Sequence, residues 1–137
     1  MRTHVEFDST FFKPVPGEEE ETNEGIFGKA LAGFLVTEFR GKGYTTDVNP
    51  EDWGWMVDLI PAGEDLGFSL WAGCSSLEEN QWLVQIHPDK PVVRRWFKKI
   101  DVQSPVARVA ELVEQFVVEK AAATNLRWWS DAESGRK

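Results

Sequence analysis

Alternating apolar residues between positions 53 and 87 constrain the fold more than any other feature of this sequence. Three segments in this stretch carry apolar side chains at every second position, and short turns separate them. Side chains of a β-strand alternate between two faces, so each segment predicts a strand with one buried face. Strands joined by short turns pair as an antiparallel meander. The predicted core positions are Trp53, Trp55, Val57 and Leu59, then Leu66, Phe68, Leu70 and Ala72, then Trp82, Val84 and Ile86.

Further strands are predicted on both sides of this meander. Residues 3–7 and 44–48 are rich in β-branched and aromatic side chains, and a last strand is expected at 126–129. Asparagine and proline favour a turn at 49–52. Residues 92–99 are expected to form either a basic edge strand or an irregular segment, since lysines are common on exposed sheet edges.

Two amphipathic helices are also predicted. Asn23 favours an N-cap and apolar residues recur at helical spacing after it, so the first helix is expected from about residue 24 to about residue 40. The second is expected to begin with Ser104 as N-cap and Pro105 at the first helical position, and to run to about residue 123.

These elements predict an α+β fold in the order β-α-β-β-β-β-α-β. In this arrangement two helices pack on one face of a mainly antiparallel sheet of about five strands, which gives two layers. No repeat or long linker interrupts the chain, so residues 1–137 are expected to form a single domain. Residues 11–22 are predicted to be an acidic, proline-rich loop, and residues 130–137 a mobile polar tail.

The chain is acidic. It has 15 lysine and arginine residues against 23 aspartate and glutamate residues, so its formal net charge is −8. Such a chain gains little from counterion release, and nucleic-acid binding is not expected. Its apolar runs are too short for a membrane span, and its N-terminal residues lack the apolar stretch of a signal peptide. A cytoplasmic protein is therefore predicted.

Nucleophilic and metal chemistry find little support. Cys74 is the only cysteine, and in the predicted hairpin it lies opposite Gln81, with His87 roughly 20 Å further along the strand. A Cys–His dyad is therefore not expected. Two histidines without metal-binding spacing predict no metal site, and no phosphate-binding loop or nucleophile elbow occurs. We expect no catalytic residues and no cofactor.

The string Glu51-Asp52-Trp53-Gly54-Trp55 is the most distinctive of the chain and has two interpretations. In one, a carboxylate lies beside aromatic walls, where burial raises its pKa towards the range of a general acid. In the other, the tryptophans fill the core while the carboxylates end a turn. The second is favoured, because neighbouring residues of an extended segment point in opposite directions.

The start of the first predicted helix offers a further candidate site. Helix N-termini attract anions, and glycines accompany Asn23 and Lys29 in this region. Asn23, Lys29, Glu51 and Asp52 are therefore candidate ligand-binding residues.

Tryptophan is abundant, and some of it is expected at the surface. The seven tryptophans are residues 53, 55, 71, 82, 96, 128 and 129. Trp71 and Trp96 lie off the predicted core faces, and Arg94 and Arg95 belong to a basic cluster beside Trp96. Tryptophan and arginine are enriched at protein interfaces, so these four residues are candidate partner-binding residues.

Several of these strings together resemble a family of small, acidic bacterial proteins of unknown function. The resemblance extends from about residue 5 to about residue 129. It is carried by Pro16-Gly17-Glu18, by the Asn-x-Gly-x-x-Gly-Lys string at 23–29, by Glu51 to Trp55, and by Trp71 to Cys74. Phe34 stands where that pattern has tryptophan. The resemblance implies a stand-alone bacterial domain and no particular mechanism.

Two functional hypotheses follow. The leading one is a non-enzymatic module that binds another protein, as an inhibitor, immunity-type protein or adaptor does. The alternative is a small enzyme or a binder of anions or small ligands, with a pocket formed by Glu51, Asp52 and the N-terminus of the first helix.

Overall fold

A computed structural model describes residues 2–63, 67–88, 94–95, 98–99 and 103–130. The strands are β1 (His4–Asp8), β2 (Thr45–Glu51), β3 (Gly54–Ile60), β4 (Phe68–Ser76), β5 (Gln81–Pro88), β6 (Arg94–Arg95), β7 (Lys98–Lys99) and β8 (Thr124–Trp129). The helices are α1 (Glu18–Glu21), α2 (Lys29–Arg40) and α3 (Gln103–Ala121). None of the helices within these ranges is long and apolar enough to cross a membrane.

Six of the strands form one antiparallel sheet in the order β2-β3-β4-β5-β1-β8. The meander β2 to β5 is extended by β1, which pairs with β5 on one side and with β8 on the other. Strands β6 and β7 pair with each other in a separate two-stranded sheet. The predicted α+β class is confirmed, with six strands in the main sheet instead of about five and with a third, short helix.

The alternation of the meander places its core as predicted. The buried positions are Trp55, Val57 and Leu59 on β3, Phe68, Leu70 and Ala72 on β4, and Trp82, Val84 and Ile86 on β5. These side chains form one cluster with the buried residues of α2 and α3. The two helices also meet each other, since the Phe39 and Phe116 rings make an edge contact at 5.1 Å. Leu66 lies outside the described residues.

The turn predicted at 49–52 is wrong by two positions. β2 continues to Glu51, which pairs with Gly54, so that Asp52 and Trp53 form a two-residue turn. Proline is tolerated in β2 because this is an edge strand, where a missing N–H removes no hydrogen bond from the ladder. Trp53, predicted in the core, is therefore at the hairpin tip and is 40% exposed.

The first long helix begins five residues later than predicted. Gly25 and Gly28 have φ angles of +78° and +155°, which do not occur in a right-handed helix. The N-cap is Gly28, not Asn23, and Asn23 instead accepts a hydrogen bond at its carbonyl oxygen from the Ile26 N–H. The segment 11–22, predicted to be a loop throughout, contains α1.

The C-terminal elements lie close to their predicted positions. α3 begins at Gln103, one residue before the predicted cap Ser104, and ends at Ala121. β8 starts two residues earlier than predicted. Residues 131–137, most of the predicted tail, lie outside the described residues.

Candidate functional site

Glu18 is the most deeply buried charged side chain among the described residues, with 1% of its surface exposed. Its Oε1 accepts hydrogen bonds from the N–H groups of Gly28 and Lys29, at 2.9 and 3.0 Å. The same oxygen accepts a third from the Trp55 indole Nε1 at 3.1 Å. Oε2 accepts one from the Val15 N–H at 2.6 Å. One carboxylate therefore binds four residues from three separate segments of the chain.

This carboxylate occupies the N-terminus of α2. The first N–H groups of a helix have no partner within it, and the helix dipole favours negative charge there. Glu18 supplies both the acceptor and the charge. The N–H groups that the ligand-binding hypothesis offers to an external anion thus already donate to a residue of the same chain, and an incoming anion must displace it.

The predicted ligand residues at this helix do not converge on an open pocket. Lys29 Nζ lies 2.7 Å from Glu21 Oε2 and 5.1 Å from the centre of the Trp55 ring, so its charge is partnered within the chain. Asn23 is exposed in the preceding turn, where its side chain accepts a hydrogen bond from the neighbouring Glu24 N–H.

Three glycines bring separate segments into backbone contact beside Glu18. A Cβ atom on Gly28 or on Gly54 would lie 2.7 Å from the Ala72 carbonyl oxygen. The same Cβ atoms would lie 3.1 and 3.6 Å from Cα of Gly73. Side chains at positions 28 and 54 are therefore excluded by the backbone of β4. We call this contact of residues 28, 54 and 72–73 the glycine junction.

Cys74 is half-buried next to the glycine junction. Its N–H donates to the Phe27 carbonyl oxygen at 3.1 Å, which ties β4 to the segment before α2. Burial raises the pKa of the Cys74 thiol, a hydrogen bond from the Ser76 backbone lowers it, and the Glu18 carboxylate raises it. The environment therefore favours the protonated thiol, which is the unreactive form.

Cys74 and His87 are held apart, as the register of the predicted hairpin implies. Cys74 pairs across from Trp82, one position away from the predicted Gln81, and a bulge lies between Cys74 and Ser76. His87 pairs with Ser69 at the other end of the strand pair. At about 3.4 Å per residue, the two side chains lie on the order of 17 Å apart along the ladder.

The sheet face opposite the long helices carries a row of stacked rings. Trp53 stacks on Trp71 with ring centroids 4.7 Å apart, and Trp71 contacts His87 at 4.0 Å. His4 continues the row, with centroids 6.0 Å from His87 and 5.7 Å from Trp129. We call Trp53, Trp71 and their immediate surroundings the tryptophan face.

Two clefts open on this side of the sheet. The one beside the tryptophan pair has a volume of about 320 Å³ and is lined by Trp53, Trp71, Ala72, Gly73, Leu83 and Gln85. The other, of about 610 Å³, shares Leu83 and Gln85 with it and extends to Arg127 and Trp129. Gly73 contributes no side chain, so the first cleft reaches the backbone of β4.

Carboxylates border the tryptophan face. Glu51 and Asp52 lie at the end of β2 and in the hairpin turn, next to Trp53. Asp47 and Asp58 are opposite each other in the β2–β3 ladder. Asp58 alternates with the buried Val57 and Leu59, so this pair lies on the same side of the sheet as Trp71. No ion pair involves these four carboxylates within the described part of the chain.

The structure thus brings some predicted site residues together and separates others. Glu51 and Asp52 lie at the tip of the β2–β3 hairpin next to Trp53, which stacks on Trp71, whereas Asn23 and Lys29 belong to the helix start around Glu18. Arg94 and Arg95 form β6, and nothing is described of their side chains. Trp96 lies outside the described residues.

Sequence reasoning missed the two residues that organise these sites. Glu18 is one of four consecutive glutamates, and no local pattern distinguishes the buried one from its exposed neighbours. Trp53 continues the apolar alternation of β3, so the pattern predicted a strand position for a residue that lies in the turn. Gly54 could have indicated that Trp53 lies in a turn, since glycine at a strand end marks a tight turn or a close backbone approach.

No group of three histidine, cysteine, aspartate or glutamate side chains that could hold a metal ion occurs within the described ranges. In comparisons with known proteins, no family model, curated protein or solved structure matches this chain.

Glu18→Ala is expected to lower the free energy of unfolding by about 3 kcal/mol or more. The substitution leaves several buried donors without an acceptor, and each such group costs about 1–3 kcal/mol. Glu20→Ala, a change in the same helix at an exposed position, should remain within about 0.5 kcal/mol of the wild type. Urea unfolding followed by tryptophan fluorescence measures both, and equal effects would contradict the role given to Glu18.

Gly54→Ala is expected to destabilise the fold by about 1–3 kcal/mol, because its Cβ atom meets the Ala72 carbonyl oxygen. Gly33→Ala is the matched control: this helical glycine has open space around it, and alanine there should stabilise by about 0.5–1 kcal/mol. Thermal or urea unfolding of the two variants should therefore give changes of opposite sign. A neutral Gly54→Ala would contradict the close approach at the glycine junction.

Alkylation of Cys74 by iodoacetamide at neutral pH is expected to be slower than that of free cysteine. The raised pKa leaves less thiolate at neutral pH, and the rate should increase at a higher pH than it does for free cysteine. In Glu18→Gln the carboxylate that raises this pKa is absent, so the pH profile should move towards lower pH. Mass spectrometry of the native protein gives both profiles, with unfolding curves to confirm that the variant is folded.

Proposed function

We propose that this protein is a non-enzymatic, cytoplasmic module that binds another protein, as an inhibitor, immunity-type protein or adaptor does. The observation that supports this most directly is the tryptophan face. Trp53 remains 40% exposed although its ring stacks on Trp71, and both line an open cleft. Tryptophan is the residue most enriched among binding hot spots. An exposed indole beside a cleft is therefore a suitable anchor for a partner.

The arrangement of the reactive side chains also supports binding over catalysis. Cys74 is in an environment that favours the protonated thiol, and it lies far from His87 along the β4–β5 ladder. Glu18, the buried carboxylate, has its oxygens occupied by four donors. These residues stabilise the fold, and contacts with other residues of the chain account for the position of each.

Trp53→Ala is expected to weaken binding of the partner by about 30-fold, the effect of removing a hot-spot residue. Val118→Ala is the matched control, because Val118 is 45% exposed but lies on α3, on the other side of the sheet from the tryptophan face. The partner is first captured from a lysate of the source organism, then purified and measured by calorimetry against each variant. Equal affinities of the wild type and Trp53→Ala would contradict the proposal.

A further inference from the structure

We propose that the tryptophan face receives an arginine side chain from a basic segment of the partner. This inference rests on the proposed function and specifies the chemistry of the partner. Its basis is the combination of an exposed indole with carboxylates that have no counter-charge in the described chain.

The indole provides a flat surface for a planar cation. Stacking on Trp71 covers one side of the Trp53 ring, and a large part of the residue remains exposed at the hairpin tip. Cations are attracted to the face of an aromatic ring, and tryptophan is the strongest acceptor of this kind. Arginine stacks on such a surface through its planar guanidinium group, whereas lysine presents a compact ammonium ion.

The carboxylates at the β2–β3 hairpin tip and farther along the same two strands define the sign of the partner's charge. Asp52 is exposed beside Trp53 in the turn, and Glu51 precedes it. Asp47 and Asp58 face each other across the β2–β3 ladder, an arrangement of like charges that is unfavourable on its own. A second basic side chain of the same segment, placed over Asp47 and Asp58, relieves this repulsion, and a guanidinium group can bind a carboxylate with two parallel hydrogen bonds.

The charge of the whole chain acts in the same direction. A formal net charge of −8 attracts basic partners over a distance and raises their association rate at low salt. The same field repels acidic protein partners, and it does not raise the association rate of neutral ones. The tryptophan face is therefore matched to a basic protein segment that carries arginine.

A short synthetic peptide of alternating arginine and glycine is the direct probe. Its binding is followed by the indole Nε1–H signals in ¹H–¹⁵N spectra, and Trp53→Phe assigns the signal of Trp53. The arginine peptide should shift this signal saturably, and a lysine analogue should bind more weakly. An analogue with citrulline, which keeps the planar shape without the charge, should bind most weakly. Added salt should reduce the affinity for the arginine peptide.

Two variants with the same change in net charge test the location. Asp52→Asn is expected to weaken binding of the arginine peptide by about two- to fivefold, the effect of one exposed ion pair. Glu119→Gln, at an exposed position on α3 and therefore on the other side of the sheet, should leave the affinity unchanged. Equal losses in both variants would mean general attraction to an acidic protein and would overturn the inference. Equal affinities for the arginine and citrulline peptides would also overturn it.

The outcome for this inference can be separated from that for the proposed function. If the natural partner requires Trp53 but the arginine peptide does not shift the Trp53 signal, the proposed function stands and the arginine inference is wrong. If Trp53→Ala leaves partner binding unchanged while the arginine peptide binds, the proposed surface is not the one that the partner uses.

Discussion

A single buried carboxylate connects the segment before α1, the start of α2 and strand β3. Glu18 accepts hydrogen bonds from Val15, from the first turn of α2 and from the Trp55 indole on β3. Burying a charge is unfavourable unless hydrogen bonds satisfy it, and here four donors do so. The position of α2 over the sheet therefore depends on this contact. The glycine junction works together with it, because only glycine at positions 28 and 54 lets the three backbones approach.

The two sides of the sheet have different roles. One is covered by α2 and α3 and contains the apolar core with the Glu18 contact at its edge. The other carries the tryptophan face, the histidines and the carboxylates of β2 and β3. The hairpin between β2 and β3 links the two sides. Trp55 points into the core and donates a hydrogen bond to Glu18, while Trp53 lies at the hairpin tip and stacks on Trp71. One short string thus contributes both to stability and to the candidate binding surface.

Sequence reasoning predicted the regular parts of the fold, and it failed where contacts between distant segments determine the local structure. The alternation at 55–59, 68–72 and 82–86 identified the buried side of the meander, because each of these strands has one buried face. The predicted helix start was wrong because an asparagine cap is a local signal, whereas the N–H groups of Gly28 and Lys29 donate to Glu18, which lies on another helix. The tryptophan face was predicted only in part. Trp71 was recognised from its position off the core face, but the two-residue turn that exposes Trp53 depends on Gly54 meeting β4.

The place of β1 in the sheet has a consequence for how the chain reaches its native state. The first strand of the sequence pairs with β5 and with β8, near the opposite end of the chain. During synthesis it emerges from the ribosome long before either neighbour exists, and its second edge is closed only when residues 124–129 have appeared. Such non-local pairing slows folding and leaves the apolar side chains of β1, Val5 and Phe7, without their native packing in the meantime.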